Sequence, residues 1–234
     1  MRLVPFQSLL FSLLVACASS RLAGEPLPIS STLQVGFVIV DGVYDTELTA
    51  PFDVFQHTVF HAQPGMRVFT VAPRLEPVRT FEGLRLLPDY TLTSAPPIDV
   101  LVVPSAEHSM DSDLENSELI AWVKSTGQHA RFVLSLCDGA FVLARAGLLD
   151  GRAATTFPSD IPRFRALFAA SVDVREGVSF VHDGLAITSV GGAKSFDAAL
   201  YLCELLYGAE AARGIASGLV IDWELDRVQH VVAD

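Results

Sequence analysis

The 234-residue sequence predicts a doubly wound α/β fold, a mainly parallel sheet with helices on both faces. Three observations carry this expectation. Near-continuous apolar runs of strand length recur along the chain, as strands buried on both faces require. Segments whose apolar residues have helical spacing fall between those runs. Half of the residues are hydrophobic, so a sizeable core forms without disulfide staples.

The elements follow in order. Leu33 to Val40 is the first apolar run and reads as a buried parallel strand. Thr46 to His61 carries Leu48, Phe52, Phe55 and Val59 at helical spacing. Met66 to Ala72 is a second strand and Pro97 to Pro104 a third. Asp113 to Ser125 is an amphipathic helix bearing Leu114, Leu119, Ile120, Trp122 and Val123. Arg131 to Leu136 is the fourth strand, and Gly139 to Ala146 the helix after it. Weaker strands are expected at Ala153–Thr155, Val172–Val174, Ser179–His182 and Leu185–Ser189, then a helix from Lys194 to Tyr207. This alternation describes a flavodoxin-like sandwich, and no linker divides residues 32–234, which read as one domain.

The first residues read as a leader. Met1-Arg2 is followed by an apolar run, Leu3 to Ala16, too short to span a bilayer as a helix of about 20 residues. Small residues come next, giving a secretory signal peptide over residues 1–18 and an exported protein. Leu14-Val15-Ala16-Cys17 has the form of a bacterial lipobox, with Cys17 as the lipidated residue; cleavage after Ala18 is the alternative. Residues 19–31, with two prolines, read as a tether. The expected location is the periplasm, or the membrane through an N-terminal lipid alone.

A net charge of −11 without a Lys/Arg cluster argues against nucleic acid and anionic membrane surfaces. About 25 residues follow the last expected helix, too few for a helix-turn-helix module, so a DNA-binding regulator is not expected. His57 and His61 have metal-compatible spacing on a helix but no accompanying ligand pattern, and read as a solvated face. There is no P-loop, and Gly191-Gly192 reads as a turn. No metal and no cofactor is expected.

Chemistry concentrates at Ser135-Leu136-Cys137-Asp138-Gly139, where an apolar strand ends at a cysteine and a helix begins. The small-x-nucleophile-x-Gly pattern suits a strand–nucleophile–helix elbow. Ligands bind beyond the carboxyl ends of strands in such sheets. A helix N-terminus lowers a thiol pKa, while an ionised Asp138 would oppose it. Read locally, Cys137 is either a nucleophile or a buried structural thiol. Cys203 lies in an apolar helical pattern and reads as an inert buried thiol.

The stretch from Ser135 to Thr156 resembles the ThiJ/PfpI branch of the class I glutamine amidotransferase-like superfamily, in particular isonitrile hydratases and the amidotransferase-like domains of AraC-type regulators. Ile187-Thr188-Ser189-Val190-Gly191-Gly192 with Asp197-Ala198-Ala199-Leu200, and the segment Asp41 to Pro51, are similar to further family segments. The resemblance covers Leu33 to about Gly208. It implies that Cys137 is the nucleophile and that Glu47 stands at the acidic position beside it. It also implies a homodimer, which the aromatic residues Phe52, Phe55, Phe60 and Trp122 would serve.

Three departures qualify what is implied. Pro104-Ser105-Ala106 replaces the family's Pro-Gly-Gly, so backbone amides of Ser105 or Ala106, with those of Asp138 and Gly139, are the oxyanion candidates. Thr155-Thr156-Phe157 replaces Thr-Thr-His. Asp138 stands where threonine or histidine is usual, so no histidine falls on a family catalytic position and a Cys-His-Asp protease lacks its base. The expected function is a cysteine-dependent enzyme acting on a small electrophilic molecule, in the manner of isonitrile hydratase. The alternative is a non-catalytic ligand- or redox-sensing domain using the same pocket.

Mass spectrometry of the mature protein is expected to show a diacyl- or triacylglyceryl group on Cys17. A free N-terminal Ser19 would remove the lipid and leave export standing.

Overall fold

The computed structural model describes residues 29–233. The expected signal peptide, Cys17 and all but the last residues of the tether lie outside the described residues. The first half contains β1 (Gln34–Val38), α1 (Asp45–Gln56), α2 (Thr58–His61), β2 (Arg67–Ala72), β3 (Val78–Arg79), β4 (Arg85–Leu86), β5 (Tyr90–Thr91), β6 (Val100–Val103), α3 (Ser112–Glu115) and α4 (Ser117–His129). The second contains β7 (Phe132–Leu136), α5 (Gly139–Arg145), β8 (Arg152–Ala154), α6 (Ile161–Phe168), β9 (Val172–Val174), β10 (Phe180–Asp183), β11 (Ala186–Ser189), α7 (Ser195–Tyr207), α8 (Ala209–Gly218) and β12 (His230–Val232).

The main sheet runs β12-β10-β11-β7-β6-β1-β2-β5. Every pairing in it is parallel except β10 with β11. The central strands β6 and β7 are buried at every position, as their unbroken apolar runs require. One apolar layer joins α1, α7 and α8 to the sheet through Phe55, Leu202 and Ile215; the other joins α4, α5 and α6 through Val123, Phe141 and Phe164. Helices therefore cover both faces, as expected.

Register places the site. Val103 of β6 pairs with Ser135 of β7, and Ser189 of β11 pairs with Leu136. The three strands end at nearly the same level. The next residues, Pro104-Ser105, Cys137 and Val190-Gly191, therefore meet beyond the carboxyl edge of the sheet.

Several elements differ from expectation. The helix expected over Thr46–His61 breaks at His57, because the Thr58 hydroxyl donates to the Phe55 carbonyl at 2.6 Å and accepts the Met66 N–H at 2.8 Å. The helix expected over Asp113–Ser125 is interrupted at Asn116, whose side chain caps α4 by accepting the Leu119 N–H at 3.1 Å. The short strands β8 and β9 form a separate parallel pair, attached sideways where the Ala153 N–H donates to Asp183. The edge strand β12 has too few apolar neighbours in sequence to announce itself.

The aromatic argument for dimerisation also narrows. Phe55 is fully buried, Phe52 packs on Phe37 at 5.3 Å, and the Trp122 indole donates to the Leu92 carbonyl. These rings belong to the monomer's own packing. Phe60 alone of the four is broadly exposed, at 75%.

Phe141 anchors α5 beneath the elbow, edge-on to Phe164 at 4.9 Å and to Phe168 at 6.0 Å. Phe141→Ala is expected to cost about 3–5 kcal/mol, read as a lower urea midpoint at unchanged slope. A loss below about 1 kcal/mol would mean that this ring cluster does not hold the helix.

Candidate functional site

Cys137 follows β7 directly and has φ 53, in the left-handed region that a side-chain-bearing residue rarely adopts. Such a residue costs on the order of 1–3 kcal/mol and persists only where its surroundings over-determine it. They do so here. The Cys137 N–H donates to the Ser189 carbonyl at 2.9 Å, and its carbonyl accepts from the Thr156 hydroxyl at 3.1 Å and the Ala140 N–H at 3.3 Å. The expected elbow is thus present, with Cys137 as a whole 7% exposed.

Glu47 projects from the first turns of α1 and is buried. One oxygen accepts the Gly192 N–H at 2.7 Å, and the other the Ser195 hydroxyl at 3.0 Å. Gly191, at φ 81, packs between it and the thiol. A Cβ there would lie 2.4 Å from Cys137 Cβ and 2.7 and 2.8 Å from the Glu47 oxygens. No side chain fits, so glycine is required both for its backbone and for the approach of acid and cysteine. The reading of Gly191-Gly192 as a plain turn missed this role. Ser195 and Thr156 were missed as well, since neither lies near Glu47 or Cys137 in sequence.

Asp138 begins α5 but makes no side-chain cap bond. Its Oδ1 accepts the Thr156 hydroxyl at 2.9 Å, and its Oδ2 stands 3.8 Å from the Cys137 sulfur. The sequence placed Cys137, Glu47 and Asp138 together, and the structure does the same.

The oxyanion candidates separate. The Asp138 N–H favours the Cys137 thiolate. The Ala106 N–H is engaged by the Ser109 hydroxyl at 2.9 Å, so it is not a free donor, contrary to expectation. Gly139 is needed for packing, because a Cβ there would lie 2.0 Å from the Val103 carbonyl oxygen. Ser105 is fully buried, and its hydroxyl makes no hydrogen bond. That hydroxyl lies close enough to favour the thiolate, yet it is not aligned with the resting thiol as a hydrogen bond.

Electrostatics reverse one expectation. Burial, then the charges of Asp138 and Glu47, push the Cys137 thiol well above its ordinary range, against the Asp138 N–H and the Ser105 hydroxyl. The short α5 does not offset two carboxylates in a dry site. Burial also lifts Glu47 to about 7 despite its bonds from Gly192 and Ser195. It lifts Asp138 to about 6 despite the Thr156 bond. Among the described residues no salt bridge reaches either acid. Cys203 is fully buried and pushed up by burial alone, as expected of an inert thiol.

A cleft of about 620 Å³ adjoins the site, lined by Thr156, Val190, Lys194 and Arg227 but by none of Cys137, Glu47, Asp138 or Ser105. The His57 Nδ1 meets the Asp53 carbonyl at 2.9 Å. The site therefore assembles a strained thiol, two acids of raised pKa and an unengaged hydroxyl, a set suited to nucleophilic addition with proton transfer.

The fold has known relatives. Residues 33–205 match the DJ-1/PfpI family model. The chain is 33% identical over 181 residues to isonitrile hydratase of Pseudomonas putida, covering 77% of this chain and 75% of that protein. A ThiJ/PfpI family protein from Pseudomonas syringae superposes with a TM-score of 0.73 at 23% identity, over 83% of this chain and 77% of its own. An AraC family transcriptional regulator from Pseudomonas putida superposes with a TM-score of 0.71 at 20% identity, over 80% of this chain and 99% of that one.

The raised Glu47 makes stability depend on pH. A carboxyl whose folded pKa of about 7 exceeds its ordinary 4.5 contributes stability below the lower value and loses it as pH rises through the upper. Wild type is expected to lose about 3 kcal/mol relative to Glu47→Gln between those limits, at ~1.4 kcal/mol per pKa unit. Asp138 titrates in both proteins and cancels except for its mutual repulsion with Glu47. Parallel pH profiles in urea unfolding would show that Glu47 is not held as the acid.

Proposed function

Because this chain belongs to the DJ-1/PfpI family, we propose that it is an exported cysteine-dependent enzyme that adds water to a small electrophilic molecule, as an isonitrile hydratase does. The observation that carries the reading is Cys137 at φ 53, with Glu47 held against it across Gly191. In this reading the sulfur adds to an electrophilic carbon. Charge developing on the neighbouring atom meets the Asp138 N–H and the Ser105 hydroxyl. Glu47, near half-protonated at neutral pH, supplies the proton the adduct takes up. Water then enters, product leaves, and the thiol is restored, so the net change is one added water.

Export rests on the leader at residues 1–18, and anchoring on a lipid at Cys17. Pairing into a homodimer rests on the family and on exposed Phe60 with its neighbour Val59. A second reading, a ligand- or redox-sensing domain, is favoured by the engaged Ala106 amide and the thiol pushed upward by burial.

A panel of isonitriles, 2-oxoaldehydes and amides separates the two. Wild type is expected to turn over at least one class, and Cys137→Ala to lose about 10³-fold or more of that rate. Absence of turnover across the panel, together with a melting shift by the same compounds that Cys137→Ala retains, would assign the site to sensing.

A further inference from the structure

We propose that Asp138 is the base that takes the Cys137 proton and that Thr156 is the residue that positions it. The proposal rests on the reading of Cys137 as a nucleophile and names the base that reading lacks.

The side chain of Asp138 is turned away from its local option. At the first position before a helix, aspartate ordinarily accepts an N–H of the first turn. Asp138 makes no such bond and instead directs one oxygen to Thr156 at 2.9 Å and the other to the Cys137 sulfur at 3.8 Å. Among the described residues its Oδ2 makes no other aligned hydrogen bond, and the nearby Asp160 carboxyl raises rather than satisfies it. Glu47 differs in this respect, since Gly192 and Ser195 engage both its oxygens. Of the two buried acids, Asp138 is the one with a lone pair free on the thiol side.

Thr156 fixes this geometry from a distant part of the chain. Its single hydroxyl proton lies between the Asp138 carboxylate and the Cys137 carbonyl at 3.1 Å, tying acid and elbow to one point. A third observation is independent of both acids. The fully buried Ser105 hydroxyl has no partner in the resting site and lies beside the sulfur. A buried donor without an acceptor calls for an explanation, and a thiolate formed there supplies one.

The step is a proton transfer. The S–H bond of Cys137 breaks, its electron pair stays on sulfur, and the proton moves to Oδ2 of Asp138, giving thiolate and carboxylic acid. The contact is long for this transfer, as such bonds often are before substrate binds. Burial keeps Asp138 near 6, so it is ionised at neutral pH yet more basic than an exposed aspartate. The other titratable groups acting on the pair or coupled to it are Glu47, Tyr44 and Asp160, with Glu82 and Glu107 acting on Tyr44 behind them.

Alkylation of Cys137 by iodoacetamide, followed against pH beside thiolate absorbance at 240 nm, tests the step without any substrate. In wild type the rate is expected to rise with a midpoint near 6, at pH values where thiolate absorbance is still absent. Asp138→Asn should remove that midpoint and slow alkylation at pH 7 about 10²-fold, while its thiolate absorbance appears at lower pH because a repelling charge is gone. Thr156→Val should move the midpoint upward, since it deletes a bond that stabilises the carboxylate, and Thr156→Ser should restore it. A wild-type rate that follows thiolate absorbance, an undiminished rate in Asp138→Asn, or an unmoved midpoint in Thr156→Val would overturn the proposal. If Asp138→Asn does not fold, the Thr156 pair carries the test. Lack of turnover in the substrate panel would sink the enzyme reading and leave this measurement standing.

Discussion

The left-handed backbone of Cys137 is the constraint on which the site depends. β7 must end at Leu136, and α5 must begin at Gly139, for the sulfur to rise above the sheet edge. That turn costs free energy locally and is held by bonds from distant elements, Ser189 on β11 and Thr156 after β8. The glycines around it follow from the same requirement. Gly139 lets α5 approach the Val103 carbonyl, and Gly191 leaves space between Cys137 and Glu47. Register among β6, β7 and β11 matters for function because it sets three loop starts at one level.

The second organising fact is the burial of two acids beside a thiol with no salt bridge to either acid among the described residues. A dry site disfavours every charge in it, so each group holds its proton more tightly than it would in water. The arrangement suits proton exchange between neighbours better than a standing thiolate. It also explains why a helix start alone does not make Cys137 acidic: the elbow contributes one N–H and a short helix, against two negative charges and burial.

The departure from the family's Pro-Gly-Gly turn has a structural counterpart. With Ala106 in place, that residue's N–H is engaged by Ser109, and the bridge between Val43 and Ala106 holds the loop against the start of α1. Beside the engaged Ala106 amide, the Ser105 hydroxyl is buried, unpartnered and favours the Cys137 thiolate.

Sequence by itself determined the architecture, because unbroken apolar runs such as Val100–Val103 and Phe132–Leu136 have few ways to be buried other than as central parallel strands. It also determined the elbow, since the small residue, cysteine and glycine pattern is local, and it brought Glu47 to the site through family resemblance. Helix breaks at Thr58 and Asn116 were not legible, because a side chain that bonds its own backbone leaves no periodic trace. Only the tertiary structure decided which groups act together. Thr156 reaches Asp138 from 18 residues away and Ser195 reaches Glu47 from 148. The fate of the Ala106 amide and the rise of the thiol pKa were likewise set by burial and by neighbours across strands. Hydrogen bonds and charges act through space, and the sequence records only the order of the residues that make them.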